Sequence, residues 1–143
     1  MQFVQLDDQT RLLQFATGSE LVATLQDHCA EYQIRNAMVS AIGALADPIL
    51  AYFNTESKQY EERSLTGTYE LTALFGTIAP LQDQPLLHAH VTLADARLKT
   101  IGGHLVRAKI GGTVELILRQ FASDYAKQFD PSVGLKLWDL PGR

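Results

Sequence analysis

Only one stretch of this 143-residue chain carries a sustained helical repeat. In ELVATLQDHCAEYQ, directly after Gly18-Ser19, the residues Leu21, Val22, Leu25, Cys29 and Tyr32 recur at three- and four-residue steps, which gathers them into one apolar stripe. Ser19 is placed to cap this helix, and Glu20 sits where a negative charge suits the helix dipole. Cys29 falls in the stripe and reads as a small buried residue. His28, beside Asp27 and Glu31, reads as solvent-facing. With a single helix available, the core has to be buried mainly by strands.

The remaining sequence supplies them. Phe3 to Leu6 and Leu12 to Phe15 flank Asp7-Asp8-Gln9-Thr10, the pattern of an opening hairpin. Strands are expected over residues 36–45, 49–54 and 59–65. The run from Gly67 to Pro80 is apolar on both faces, as in a strand covered on both sides. Further strands are expected over 106–109 and 113–121. The breaks between them are read at Asp47-Pro48, at Thr55 to Lys58, in a loop from Pro80 to Pro85 and at Gly111-Gly112, a pair expected to form a turn or a bulge. Gly43 marks a bulge or a close backbone approach. In the tail, Asp130-Pro131 signals a turn, after which Leu135, Leu137 and Trp138 can dock a last segment. No repeat or linker interrupts the chain. The expectation is a single domain over residues 1–143 of the α+β class. It should be a curved, antiparallel-dominated sheet or barrel of about eight or nine strands with one main helix packed on it.

Composition narrows the function classes. The formal net charge is −4, whereas a nucleic-acid binder usually carries a basic balance, because phosphate contacts supply most non-specific affinity. The single cysteine allows no internal disulfide and none of the thiolate zinc patterns. The first fifteen residues carry early acids and lack the apolar run of a signal peptide. No segment approaches the roughly 20 apolar residues that span a bilayer. A cytoplasmic protein without a membrane partner is expected.

Chemistry concentrates in Leu87 to Leu105, LHAHVTLADARLKTIGGHL, which holds three of the four histidines, His88, His90 and His104. In a strand alternate side chains share a face, so His88 and His90 point the same way, and a third imidazole returning on the next strand completes a three-nitrogen pocket. Neutral imidazole suits Zn²⁺ and similar divalent ions. Gly102-Gly103 is read first as a positive-φ turn that aims His104, and second as a place where backbone approaches a ligand. Three protein ligands leave a coordination position for water or substrate. Glu70 and Glu115 are the candidates for orienting ligands or for acid–base work, and no catalytic residue is assigned. Arg97, Lys99, Arg107, Lys109 and Arg119 lend local positive charge, which favours an anionic small molecule or nucleic acid.

The order of three segments resembles a known family. These are Gly18-Ser19-Glu20 followed by Ala41-Ile42-Gly43-Ala44, then Tyr69-Glu70-Leu71 with Leu74 and Gly76-Thr77. The third and most specific is His88-Ala89-His90 with Leu93-Ala94-Asp95, Gly102-Gly103-His104-Leu105 and Thr113-Val114-Glu115. Nearly the whole chain resembles the PPC domain (plants and prokaryotes conserved). The resemblance implies one helix on a curved antiparallel sheet, a homotrimer, and three histidines that look like zinc ligands. Prokaryotic members are typically this domain alone, whereas plant members join it to AT-hook motifs and act as nuclear DNA-binding proteins. Here there is no Arg-Gly-Arg-Pro core, and Gly67-Thr68-Tyr69-Glu70-Leu71 lacks the arginine of the corresponding plant segment. The His-x-His plus later His pattern also resembles, more distantly, acetolactate decarboxylase. The expectation is a stand-alone homotrimeric protein that binds a divalent metal, zinc or similar, with a DNA-associated or regulatory role. The alternative is a metal-dependent enzyme acting on a small anionic molecule.

Overall fold

The structure is a computed structural model that describes residues 1–142. Strands β1 (Gln2–Gln5) and β2 (Thr10–Phe15) form the opening hairpin, whose turn is held by the Asp7 carboxylate accepting from the Gln9 amide at 2.8 Å. Helix α1 (Leu21–Glu31) follows. Its cap is Glu20, not Ser19. Glu20 Oε2 accepts from the Ala23 amide at 2.6 Å while Oε1 accepts from the Ala108 amide at 3.1 Å, so one carboxylate serves both the helix and a neighbouring strand. The shorter Ser19 side chain donates instead to the Ala16 carbonyl.

The other strands are β3 (Ala37–Asn54), β4 (Gln59–Ser64), β5 (Thr68–Leu81), β6 (Gln84–Ala94), β7 (Thr100–Gln120), β8 (Lys127–Asp130) and β9 (Leu135–Trp138). The first seven strands form one sheet in the order β1-β2-β7-β6-β5-β3-β4, and an additional β7–β3 pairing closes β7, β6, β5 and β3 into a ring. All these pairings are antiparallel. Strands β8 and β9 make a separate hairpin.

Two expected breaks are bends inside continuous strands. At Asp47-Pro48 the chain kinks without leaving the sheet: Asp47 adopts φ 47°, its amide donates to the Gly67 carbonyl and its carboxylate accepts the Gly67 amide, both at 2.9 Å. The β3–β7 register slips between Ala46 and Ile49 at that point. At Gly111-Gly112, β7 continues through a bulge rather than a turn: the β3–β7 register slips between Ile110 and Val114, and a Cβ on Gly111 would lie 2.9 Å from Thr68 Cγ2, so the glycine lets neighbouring strands close up. Long coiled strands need such bends to close a ring. The expected loop from Pro80 to Pro85 is a tight hairpin end. Pro80 pairs with Pro85, and only Gln82 and Asp83 turn the chain, both at positive φ. Gly43 fulfils both of its readings: the β3–β5 register shifts beside it, its φ is +145°, and its Cα packs against the Thr113–Val114 backbone.

The ring interior is apolar. Leu87, Ala89, Val91 and Leu93 of β6 alternate inward, and the α1 stripe of Leu21, Leu25 and Cys29 buries into the same cluster. Burial pushes the Cys29 thiol up to about 12, so it stays protonated. His28 is not solvent-facing. It is 3 % exposed, with ring centroids 4.9 Å from Phe3 and 4.6 Å from Tyr32, and Arg11 Nη1 lies 3.2 Å from its Nε2. Phe3 of β1 covers that flank of the helix. Burial, then the Arg11 charge, hold its pKa below the usual value. Among the described residues no helix is long and apolar enough to cross a membrane.

Candidate metal centre

Because the odd-numbered residues of β6 fill the core, His88 and His90 must project from the outer face of the ring. In the antiparallel pairing of β6 with β7, His104 stands directly opposite His90. Ring centroids are 5.5 Å apart for His88 and His90, 5.3 Å for His88 and His104, and 5.6 Å for His90 and His104. One nitrogen from each ring lies within 4.8 Å of the other two. Imidazole–zinc bonds of about 2.0–2.1 Å in a tetrahedral site need donors roughly 3.4 Å apart, a separation that small ring rotations supply.

Gly102-Gly103 does not form a turn. Both residues lie within β7, and their task is close approach: a Cβ on Gly102 would come 2.9 Å from the Val91 carbonyl oxygen, and one on Gly103 would come 3.2 Å from that of Ala51. The pair thereby seats β7 between β6 and β3 and brings His104 level with His90.

The electrostatics favour the ligating form of the rings. Burial, followed by the nearby charges of His88, His90 and Lys136, lowers His104 to about 4. Burial, then Lys127 and His90, lowers His88. Both imidazoles are therefore neutral at pH 7, as a metal requires. His104 Nδ1 is buried and accepts or donates no hydrogen bond. An orphaned buried ring nitrogen costs about 1–3 kcal/mol, and a coordinated cation removes that cost. The donor set fits a divalent metal of the zinc type.

The histidines open onto a cavity of about 820 Å³, within the size range of small-molecule sites. Tyr60 of β4 stacks beside His104 with ring centroids 4.8 Å apart. The β8–β9 hairpin also lines the cavity, with Lys127, Phe129, Lys136 and Trp138 among its contributions.

Glu70 and Glu115 do not join the histidines. They line a separate depression with Ile42, Gly43, Thr72 and Thr113, on the part of the sheet where β3 bulges. Arg97, Lys99, Arg107, Lys109 and Arg119 do not line the histidine cavity either; its cations are Lys127 and Lys136. The tail held a signal for them in Lys127-x-Phe129 and Lys136-x-Trp138, flanking a turn with Asp130-Pro131 and Gly134. Only the hairpin register shows that those four side chains share one face.

Comparison with known proteins identifies the family and the fold. The model of the Plants and Prokaryotes Conserved (PCC) domain matches residues 5–122, ending before β8. A metal-containing protein from Archaeoglobus fulgidus is 29 % identical, with 96 % of this chain and 98 % of that one covered and a TM-score of 0.84. A plant- and prokaryote-conserved protein from Pyrococcus horikoshii is 28 % identical, covering 97 % and 94 % with a TM-score of 0.86. A proposed DNA-binding protein from Bacteroides thetaiotaomicron shares the fold at 24 % identity, covering 96 % of each chain with a TM-score of 0.92. None of the curated protein sequences compared with the chain matches it. The chain belongs to the Plants and Prokaryotes Conserved domain family.

Proposed function

We propose that this protein binds a divalent metal of the zinc type through His88, His90 and His104, and that it does so as a homotrimer. One observation carries the metal reading: three imidazoles converge at the mouth of a cavity, and the most buried of them leaves Nδ1 without a hydrogen-bond partner. The Archaeoglobus relative, described as metal-containing, supports it. Three protein ligands leave the metal open toward the cavity, where it would polarise a bound water or ligand oxygen.

The trimer follows from the family resemblance and is supported by an apolar patch on the outer face. Phe75, Ser40 and Ile117 lie side by side across β5, β3 and β7, with Ile42 further along β3. Phe75, Ile42 and Ile117 are 60 %, 59 % and 38 % exposed, a grouping that assembly would cover. A DNA-associated role is the reading that the Bacteroides relative's description brings. At net charge −4 it requires a local cationic surface, and a salt-titrated shift assay showing no complex at low ionic strength removes it.

Metal analysis of protein purified without a histidine tag tests the centre. The expected content approaches one ion per chain and falls to background in His88→Ala and His104→Ala. Content that the two substitutions leave unchanged removes the reading.

A further inference from the structure

The β8–β9 hairpin brings both lysines and aromatic side chains to the cavity that the histidines line. Lys127 pairs directly with Trp138, and Phe129 with Lys136, so these four side chains share one side of the hairpin, and all four line the cavity. The hairpin is docked rather than loose. Its Gly134 lies against Lys58 in the turn between β3 and β4, where a Cβ would come 2.8 Å from Lys58 Cβ.

Lys127 is the unusual residue. It is 6 % exposed, and its Nζ lies 5.0 Å from the centroid of the Trp138 ring. Its hydrogen bond to the Lys136 carbonyl is long, at 3.5 Å. Burial of an ammonium is costly without a counter-charge. Yet the cavity lining contains Lys127, Lys136 and three histidines and no aspartate or glutamate. Among the described residues no carboxylate stands within ion-pair distance of Lys127. Apart from Tyr52 and Tyr60, the remaining side chains of the lining are apolar, including Phe53, Leu86, Leu135 and Leu137. A cavity with cationic points, aromatic walls and no acid is complementary to an organic anion.

We infer that the cavity binds a small carboxylate, whose charged end pairs with Lys127, assisted by Lys136, and whose short apolar body lies between Trp138 and Phe129, facing the three histidines. The inference deepens the metal reading and rests on it only for what the far end of the ligand meets. The histidines stand on β6 and β7 and Lys127 on β8, so either can be replaced without the other.

Trp138 is the only tryptophan, so its fluorescence reports the cavity directly. The experiment titrates full-length protein, with and without bound zinc, with isobutyrate and with its uncharged isostere isobutyramide at constant ionic strength. Isobutyrate is expected to give a saturable change that isobutyramide does not. In Lys127→Met, which keeps the stem against Trp138 and removes the charge, affinity should fall at least about tenfold, the size of one charge-assisted hydrogen bond. Zinc content should not change. Lys127→Gln repeats the test with a polar neutral side chain, and near-ultraviolet circular dichroism of Trp138 verifies that the hairpin remains docked. Equal response to acid and amide, or unchanged affinity in both variants, overturns the inference. Zinc bound at full content with no response to isobutyrate overturns it while the metal reading stands. Lys127-dependent binding of isobutyrate by protein that never takes up zinc upholds it while the metal reading falls.

Discussion

Asn36 holds the C-terminal tail to the ring, and its removal should release the hairpin without melting the barrel. The residue is 1 % exposed. Its Nδ2 donates to the Tyr125 carbonyl at 2.8 Å, and its Oδ1 accepts the Tyr125 amide at 2.8 Å and, more weakly, the Ser123 hydroxyl at 3.4 Å. Asn36→Ala removes the two short bonds, each worth about 1 kcal/mol net. While the tail stays docked, the substitution also strands the Tyr125 amide and carbonyl, at about 1–3 kcal/mol for each group that water cannot reach. The tail escapes that second cost by lifting into solvent, since Tyr125 is itself 41 % exposed. The docked state therefore loses at least about 2 kcal/mol, which makes local opening at least about 30-fold more frequent. Amide hydrogen exchange resolves the effect strand by strand. Amides of β8 and β9 should exchange at least about 30-fold faster, whereas the β7 amides opposite β3 should slow or quicken by less than threefold or so. Equal acceleration in both sets would mean that Asn36 supports the whole barrel, and no acceleration in the hairpin would mean that other contacts hold the tail.

The remaining predictions follow from burial and pairing. His104 titrates at about 4 in the folded chain against 6.5 unfolded, so between those values the unfolded chain binds more protons. Metal-free protein should accordingly lose stability as pH falls from about 6.5 toward 4, and denaturant titrations of His104→Gln should show a shallower slope over that window; an identical slope refutes the assignment. Phe75→Glu places a charge in the exposed apolar patch, next to His90 in the β5–β6 pairing. Light scattering should report about three times 15.8 kDa for the parent protein and close to 15.8 kDa for the variant. A parent protein that is already monomeric sinks the trimer.

Much of this architecture is legible in the sequence. The helical stripe of α1, the opening hairpin and the two-residue spacing of His88 and His90 are local patterns, and local geometry alone dictates their outcome. What misleads is punctuation. Asp47-Pro48 and Gly111-Gly112 carry the same signals whether a chain leaves a sheet or bends within it, and only ring closure between β3 and β7 decides for the bend. His28 shares a helix flank with two acids, yet Phe3, from a strand far back in the chain, covers it. The pattern around Lys127 and Lys136 does not by itself assign them to the site, for a related reason: their distance from the histidines depends on how Asn36 folds the tail back, a contact spanning 89 positions. Glu70 and Glu115 belong to the same set of motifs as the histidines, but they line a separate depression beside the β3 bulge and neither lines the cavity.

The histidines stand on the outside of the ring, with the whole apolar core behind them. Each of the three shares its strand with inward-facing neighbours that pack the barrel, but none of the three is itself part of that packing. Chemistry and foldability are therefore written in alternate letters of the same strands. Drift at the outward letters can erase, retune or replace the site while the barrel persists, and one family can hold members with quite different occupations on a common frame.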